Sequence, residues 1–187
     1  MRLYRLLFLC LFPLVVLTGC MSLPQEVALE SYQGRFSVSM TNANRQANES
    51  GRFELLLYPK NRIFLDLKTP LGGTIARIEK TQENVQLKVL GQEAIEAQNI
   101  DQLLLNTLGF TVPIDGLSYW IKGQVAPSMT SKVQPSQGPL KCIEQNGWTI
   151  EIVSRNPDQS PKRLRMSRAG TNDEPVINLT LLILGSH

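Results

Sequence analysis

The sequence lacks most of the side chains on which enzyme active sites are built. Its single histidine, His187, is the last residue, so neither a Ser-His-Asp nor a Cys-His arrangement has a general base. No histidine–cysteine cluster has the spacing of a zinc site, and no Gly-rich phosphate loop is present. Carboxylates are scattered, as solvated carboxylates usually are, although spacing alone does not exclude a paired-carboxylate glycosidase. We therefore expect a protein that is not an enzyme and holds no metal and no cofactor.

Cysteine is equally sparse, since the chain contains only Cys10, Cys20 and Cys142. Cys10 lies in an N-terminal segment that we expect to be removed, and Cys20 is a candidate for lipid attachment. Cys142 then has no partner, so no intrachain disulfide is expected even in an oxidising compartment. The fold must be stabilised by core burial and strand pairing.

A hydrophobic run long enough to cross a bilayer, about 20 residues, is also missing near the N-terminus. The apolar stretch Leu6–Leu17 is shorter, contains Pro13, and follows Arg2 and Arg5. A charged segment, a short apolar segment and then small residues are typical of a secretory signal. The N-terminus is therefore predicted to direct secretion rather than to span the membrane.

The signal ends in Leu17-Thr18-Gly19-Cys20, which resembles the bacterial lipobox. This resemblance implies transfer of diacylglycerol to the Cys20 sulfur, cleavage before Cys20 and acylation of the new amine. The alternative is an ordinary signal peptide with an incidental cysteine. We predict a cleaved signal at 1–19, a lipidated tether at 20–29 and one β domain at 30–187.

An excess of positive charge is absent once the signal is removed. The chain has 19 basic and 16 acidic side chains, and two of the basic ones, Arg2 and Arg5, belong to the signal. The remaining side chains are almost balanced in charge, which gives no reason to expect nucleic acid as a partner.

What the sequence does contain is period-two alternation of apolar and polar residues, typical of half-buried strands. Short strands about ten residues apart with polar turns predict an antiparallel meander, curved into a barrel or a sandwich. Asn146-Gly147 predicts a two-residue hairpin turn. Short helices are predicted over 99–109 and 113–123, and a long loop over 124–139, giving a mainly β fold of about 10–11 strands.

Six apolar residues share one predicted face of this sheet: Phe36, Phe53, Leu55, Ile63, Leu65 and Leu87. They fill an ordinary core if the sheet closes tightly. If it closes only in part, they line an apolar cavity able to hold a lipid-like ligand. Periodicity does not distinguish these two interpretations.

Several short motifs, in a fixed order over nearly the whole mature chain, resemble the LolB family of outer-membrane lipoprotein receptors. They are Gly34-Arg35-Phe36-Ser37-Val38, Gly51-Arg52-Phe53, Thr69-Pro70-Leu71-Gly72, Leu103-Leu104 with Leu108-Gly109, Val112-Pro113-Ile114, Leu117–Gly123, Gln145–Ile150 and Pro161–Leu164. The segment 124–139 carries none of them. Each motif is weak alone, but their order together with a lipobox is specific.

This resemblance implies a half-closed antiparallel β-barrel with a short helical lid over an apolar cavity. The lid would include Leu104, Leu108 and Trp120, and Leu71 would be an exposed residue that inserts into the membrane. The implied function is to accept acylated lipoproteins from the periplasmic carrier LolA and to insert them into outer-membrane lipid, with the protein acting as a monomer.

The implied location is the outer membrane, lipid-anchored and facing the periplasm. Met21-Ser22 agrees with this, since it lacks the aspartate that would argue for inner-membrane retention. Two other interpretations stay open: a structural or assembly lipoprotein that uses the sheet to bind proteins, and a carrier of free lipids.

Overall fold

The computed structural model describes residues 26–42, 46–97, 103–104, 111–127, 129–134, 142–171 and 175–187. Within them the chain forms eleven strands and one α-helix with both ends described, and Leu103 and Leu104 are also helical. The strands are β1 (Glu30–Thr41), β2 (Gln46–Tyr58), β3 (Arg62–Lys68), β4 (Thr74–Lys80), β5 (Val85–Val89), β6 (Ile95–Ala97), β7 (Ser131–Gln134), β8 (Cys142–Gln145), β9 (Trp148–Arg155), β10 (Pro161–Arg168) and β11 (Val176–Ser186). The helix, α1, is Ile114–Trp120.

The strands form one antiparallel sheet in the order β6-β5-β4-β3-β2-β1-β11-β10-β9-β8-β7. Almost every pair of adjacent strands in the sheet is also consecutive in the sequence, as expected for a meander built from hairpins. The N- and C-terminal strands β1 and β11 pair at the centre, with Phe36 opposite Leu181. β6 and β7 are the two edges and do not pair with each other, so the sheet is a half-open barrel, as predicted.

Alternation of side chains gives the sheet one apolar face. In β2 the side chains of Phe53, Leu55 and Leu57 are buried, whereas Arg52 is exposed. The buried residues of the strands and of α1 form one continuous hydrophobic cluster on the concave face of the sheet. α1 lies across this face and carries its own buried side chains, Leu117 and Trp120 among them.

The sheet has two ends, which matter for function. At the Tyr58 end lie the start of β1, the β2–β3 connection and the end of β11, with Tyr32 opposite Ser186. At the Leu71 end lie the β1–β2, β3–β4 and β5–β6 connections. β3 runs from one end to the other in seven residues, a length of about 23 Å.

The structure contains the predicted hairpin turn and differs from the predicted loop over 124–139. The Asn146-Gly147 turn is present, with positive φ of 49° and 77° at its two residues, which suits a tight hairpin. The predicted loop over 124–139 is wrong at Ser131–Gln134, which form β7 and pair with β8. Four residues with three polar side chains give no usable alternation, so only backbone pairing with β8 identifies this strand.

The helix predicted over 113–123 is present as α1. Of the helix predicted over 99–109 the structure describes only Leu103 and Leu104, which are helical and buried. The rest of that prediction lies outside the described residues, as do the predicted signal and Cys20.

Candidate functional site: an apolar cavity beneath the helix

A cavity of about 70 Å³ lies between α1 and the concave face of the sheet. Its described lining is apolar and comes from β1, β2, β3, β4, β11 and α1, and from Leu104, Val112 and Ile121 outside these elements. The lining residues are Phe36, Val38, Phe53, Leu65, Leu67, Ile78, Leu104, Val112, Ile114, Leu117, Ile121, Leu179 and Leu181. With no polar group among the described residues of this wall, the site is suited to hydrocarbon, and these residues offer no acid, base or metal ligand.

Two glycine–phenylalanine pairs build one wall of the cavity. In the register of β1 and β2, Gly34 is opposite Phe53 and Phe36 is opposite Gly51. A Cβ at Gly34 would lie 2.8 Å from the Phe53 ring, and one at Gly51 would lie 2.9 Å from the Phe36 ring. Each ring therefore occupies the space that a side chain on the opposite strand would need, which gives a structural reason for the two Gly-x-Phe motifs.

Ion pairs fix α1 to the sheet near both of its ends. Lys80 of β4 donates to Asp115 at 2.6 Å, and Lys122, just beyond the helix, donates to Glu30 of β1 at 3.0 Å. Burial would raise the pKa of the Glu30 carboxyl, but hydrogen bonds from Tyr32 (2.6 Å) and Lys122 outweigh it and hold the pKa below its usual value. Burial and the neighbouring Glu30 raise the pKa of Tyr32. The two ion pairs thus attach α1 to the sheet as one wall of the cavity.

Gln145, at the end of β8, makes four hydrogen bonds beneath α1. Its Oε1 accepts hydrogen bonds from Trp120 Nε1 (2.8 Å) and the Ala126 amide (2.9 Å). Its Nε2 donates to the carbonyl oxygens of Ala126 (2.9 Å) and Met129 (3.1 Å). This one amide group therefore bonds four polar groups around the buried Trp120, and the Ala126 carbonyl also accepts from the Met129 amide (3.3 Å).

The structure separates the six predicted cavity residues into two groups. Phe36, Phe53 and Leu65 line the cavity. Leu55, Ile63 and Leu87 are at most 1 % exposed and are not among its lining residues, so they belong to the packed core beside it. All six lie on the predicted face of the sheet, but alternation does not indicate how far along a strand the cavity extends.

The predicted lid residues also differ in position. Leu104 lines the cavity, whereas Trp120 is fully buried, is hydrogen-bonded to Gln145 and lies with its ring 6.4 Å from that of Trp148. Trp120 is therefore part of the helix–sheet core and not of the cavity wall. Leu108 lies outside the described residues.

Leu71 is 98 % exposed at the tip of the β3–β4 turn. The turn is closed by hydrogen bonds from the Thr69 amide to the Gly73 carbonyl (2.8 Å) and from the Gly72 amide to the Thr69 carbonyl (2.9 Å). Gly72 has φ of 102°, a conformation that side chains disfavour. The turn is thus well defined and exposes the Leu71 side chain to solvent, where it adds no buried apolar area to the stability of the fold.

Sequence reasoning missed the cavity residues of α1 and β11, Ile114, Leu117, Leu179 and Leu181. Their apolar spacing is visible in the chain, but which helix crosses the sheet, and over which strands, depends on tertiary packing. Gln145 was missed as well, because an isolated glutamine carries no sequence signal of burial.

None of the helices in the described part of the chain has the length and apolar character needed to cross a membrane.

Residues 31–184 match the family described as LolB, outer membrane lipoprotein LolB. Among curated relatives, the outer-membrane lipoprotein LolB of Cupriavidus necator is 32 % identical over 182 residues, covering 90 % of this chain and 91 % of the relative. The protein of the same name from Bordetella petrii is 32 % identical over 174 residues, covering 89 % and 86 %. Among solved structures, a LolA superfamily protein from Nitrosomonas europaea superposes with a TM-score of 0.49 at 10 % identity, covering 88 % and 86 %.

Proposed function

This chain belongs to the LolB family of outer-membrane lipoproteins, and we propose that it is a lipoprotein receptor that accepts acylated lipoproteins from the periplasmic carrier LolA and inserts them into the outer membrane. The observation that carries this proposal is the cavity beneath α1, whose lining in the described part of the chain is apolar. Acyl chains are the part of a lipoprotein that such a cavity would shield from water, and no step of this function makes or breaks a covalent bond.

The size of the cavity sets how binding would occur. Its volume of about 70 Å³ holds about five to seven water-sized groups, fewer than the methylenes of a long acyl chain. Entry of a chain would therefore require the covering segments and the sheet to move apart. The cost of this widening offsets part of the gain from burying methylenes, about 0.8 kcal/mol each. Such a balance suits a receptor, because cargo that bound without this cost would be released slowly.

Transfer would run down a gradient of affinity. The sequence has no nucleotide-binding loop, so the direction of transfer would follow from weaker binding to the carrier, tighter binding to this protein and tightest partitioning into the bilayer. An aliphatic lining with two phenylalanines can adapt to chains of different length.

Leu71 would contact the bilayer during release. Moving one leucine from water into lipid contributes about 2 kcal/mol. This is too little to anchor the protein, but it is enough to bring the Leu71 end of the sheet to the lipid surface and to disturb that surface locally.

Lipidation of Cys20 would anchor the protein, and this anchor has to let Leu71 contact the same membrane. Glu30 lies at the Tyr58 end of the sheet, ten residues after Cys20. Ten extended residues span up to ~36 Å, which exceeds the ~23 Å length of β3. The ion pair between Glu26 and Arg62 (2.6 Å) is exposed, and a pair of this kind contributes only about 0–1 kcal/mol. The tether therefore permits Leu71 to reach the membrane that holds Cys20.

The test separates acceptance of cargo from its delivery. A labelled lipoprotein is transferred first from loaded carrier to this protein and then from this protein to liposomes. Leu71→Glu is expected to accept cargo normally and to fail in delivery, because a carboxylate is strongly disfavoured in lipid. Leu184→Glu is the matched control, since Leu184 is 62 % exposed at the opposite end of the sheet.

The possible outcomes have distinct meanings. Equal loss of both stages would make Leu71 a folding or docking residue, and normal delivery would remove its membrane role. Binding of free lipid without any acceptance from the carrier would favour the free-lipid carrier instead. Mass spectrometry of the mature protein tests the anchor, with acyl mass expected on an N-terminal Cys20.

A further inference from the structure

Among the residues that the structure describes, Leu71 is one of two leucines presented in the same way at the same end of the sheet. Leu90 follows β5 directly, is 77 % exposed and begins the β5–β6 turn. Each leucine is followed by a glycine with positive φ, 102° at Gly72 and 76° at Gly91. A Cβ at either glycine would meet nothing within 4 Å, so both turns project into open space.

The two turns are neighbours. Ala76 of β4 is opposite Val89 of β5, and the Leu90 amide donates to the Ile75 carbonyl at 2.9 Å, which places Leu90 beside the start of β4. Leu71 lies at the tip of the turn that leads into β4. Adjacent strands are about 4.8 Å apart, so the two leucines lie within a few strand spacings of each other. Ile75, 37 % exposed, is on β4 beside Leu90.

We propose that Leu90 and Ile75 join Leu71 in one lipid-contacting edge, which inserts into the bilayer surface when cargo is released. This inference rests on the proposed function, because it takes the bilayer as the partner of Leu71. The chemistry of the edge favours lipid over a protein partner. It consists of aliphatic side chains on projecting turns, whereas binding to a protein concentrates on aromatic and arginine side chains in well-packed pockets.

A second inserted leucine would change binding measurably. Each leucine that enters lipid strengthens binding by about tenfold or more. Loss of Leu90 should therefore lower membrane binding by about tenfold, and loss of both leucines should lower it further, without affecting the cavity.

The experiment measures binding to vesicles of phosphatidylethanolamine and phosphatidylglycerol. The secreted Cys20→Ala form is used, so that the acyl anchor does not dominate binding. Leu90→Asn and Leu71→Asn are each expected to reduce binding about tenfold, and Leu184→Asn is expected to leave it unchanged. Acceptance of lipoprotein from the carrier should be normal in all three variants. Tryptophan emission of Leu90→Trp should shift to shorter wavelength on addition of vesicles.

The outcomes separate this inference from the function on which it rests. If Leu71→Asn weakens vesicle binding but Leu90→Asn does not, the wider edge is refuted and the role of Leu71 stands. If neither variant weakens vesicle binding, both the wider edge and the membrane role of Leu71 are refuted. If Leu90→Asn impairs acceptance from the carrier while vesicle binding is normal, Leu90 contacts a protein, and the proposed edge is wrong.

Discussion

The hydrogen bonds of Gln145 allow a prediction whose size can be estimated from the structure. Gln145→Leu keeps the approximate volume of the side chain but removes its amide. The buried Trp120 Nε1, the Ala126 amide and the Met129 carbonyl then lose their partner, whereas the Ala126 carbonyl keeps the bond from the Met129 amide (3.3 Å). Each buried polar group left without a partner costs about 1–3 kcal/mol.

Some of these groups will regain water, so we expect the variant to lose about 3–5 kcal/mol of unfolding free energy. This is a large part of the ~5–15 kcal/mol that stabilises a typical domain. Urea unfolding followed by circular dichroism measures it. Gln86→Leu is the control, because Gln86 makes one exposed hydrogen bond to Glu96 (3.2 Å) and should change stability by less than about 0.5 kcal/mol.

A double-mutant cycle isolates the indole contact. Trp120→Phe removes the N–H donor, so part of the Gln145→Leu penalty should disappear in that background, by about 1–2 kcal/mol. The reasoning would be refuted if Gln145→Leu were as stable as the Gln86 control, or if the two substitutions were additive. Either result would mean that the Gln145 amide does not hold α1 on the sheet.

Three further predictions test the cavity, the glycine pairs and the helix attachment. Leu65→Glu should stay folded but lose binding of an acyl probe, because the carboxylate can draw water into the cavity. Leu55→Glu should unfold the protein, because Leu55 is in the packed core. Thermal melting and probe fluorescence distinguish the two variants. Gly51→Ala should destabilise the sheet by at least about 2 kcal/mol in urea unfolding, since its Cβ would lie 2.2 Å from the Lys68 carbonyl oxygen, and an unchanged midpoint would contradict this packing. The pKa of Glu30 is lowered in the folded protein, so its contribution to stability is complete above about pH 4.5 and is lost as the pH falls through the lower pKa of the folded state. Glu30→Gln should remove this pH dependence from the unfolding free energy measured between pH 6 and pH 3.

The contrast between Leu65 and Leu55 shows how far alternation leads. The two residues face each other across β2 and β3 and were predicted from the same pattern to lie on the same face. That prediction is correct, because side-chain direction in a strand follows from its period of two. Which of them lines a cavity depends on where α1 crosses the sheet, and this is a property of distant contacts such as Lys80–Asp115 and Lys122–Glu30.

The sequence by itself determined the features that depend on neighbouring residues: the mainly β class, the Asn146-Gly147 hairpin, the apolar face of the strands and the helix at Ile114–Trp120. Only the tertiary structure decided the features that depend on residues far apart in the chain. It identified β7 through its pairing with β8, placed Gln145 beneath Trp120, and brought the turns of Leu71 and Leu90 to the same end of the sheet. The physical reason is that local periodicity fixes the direction of a side chain, whereas a cavity or a membrane-contacting edge is formed by elements whose positions are set by packing and by strand register.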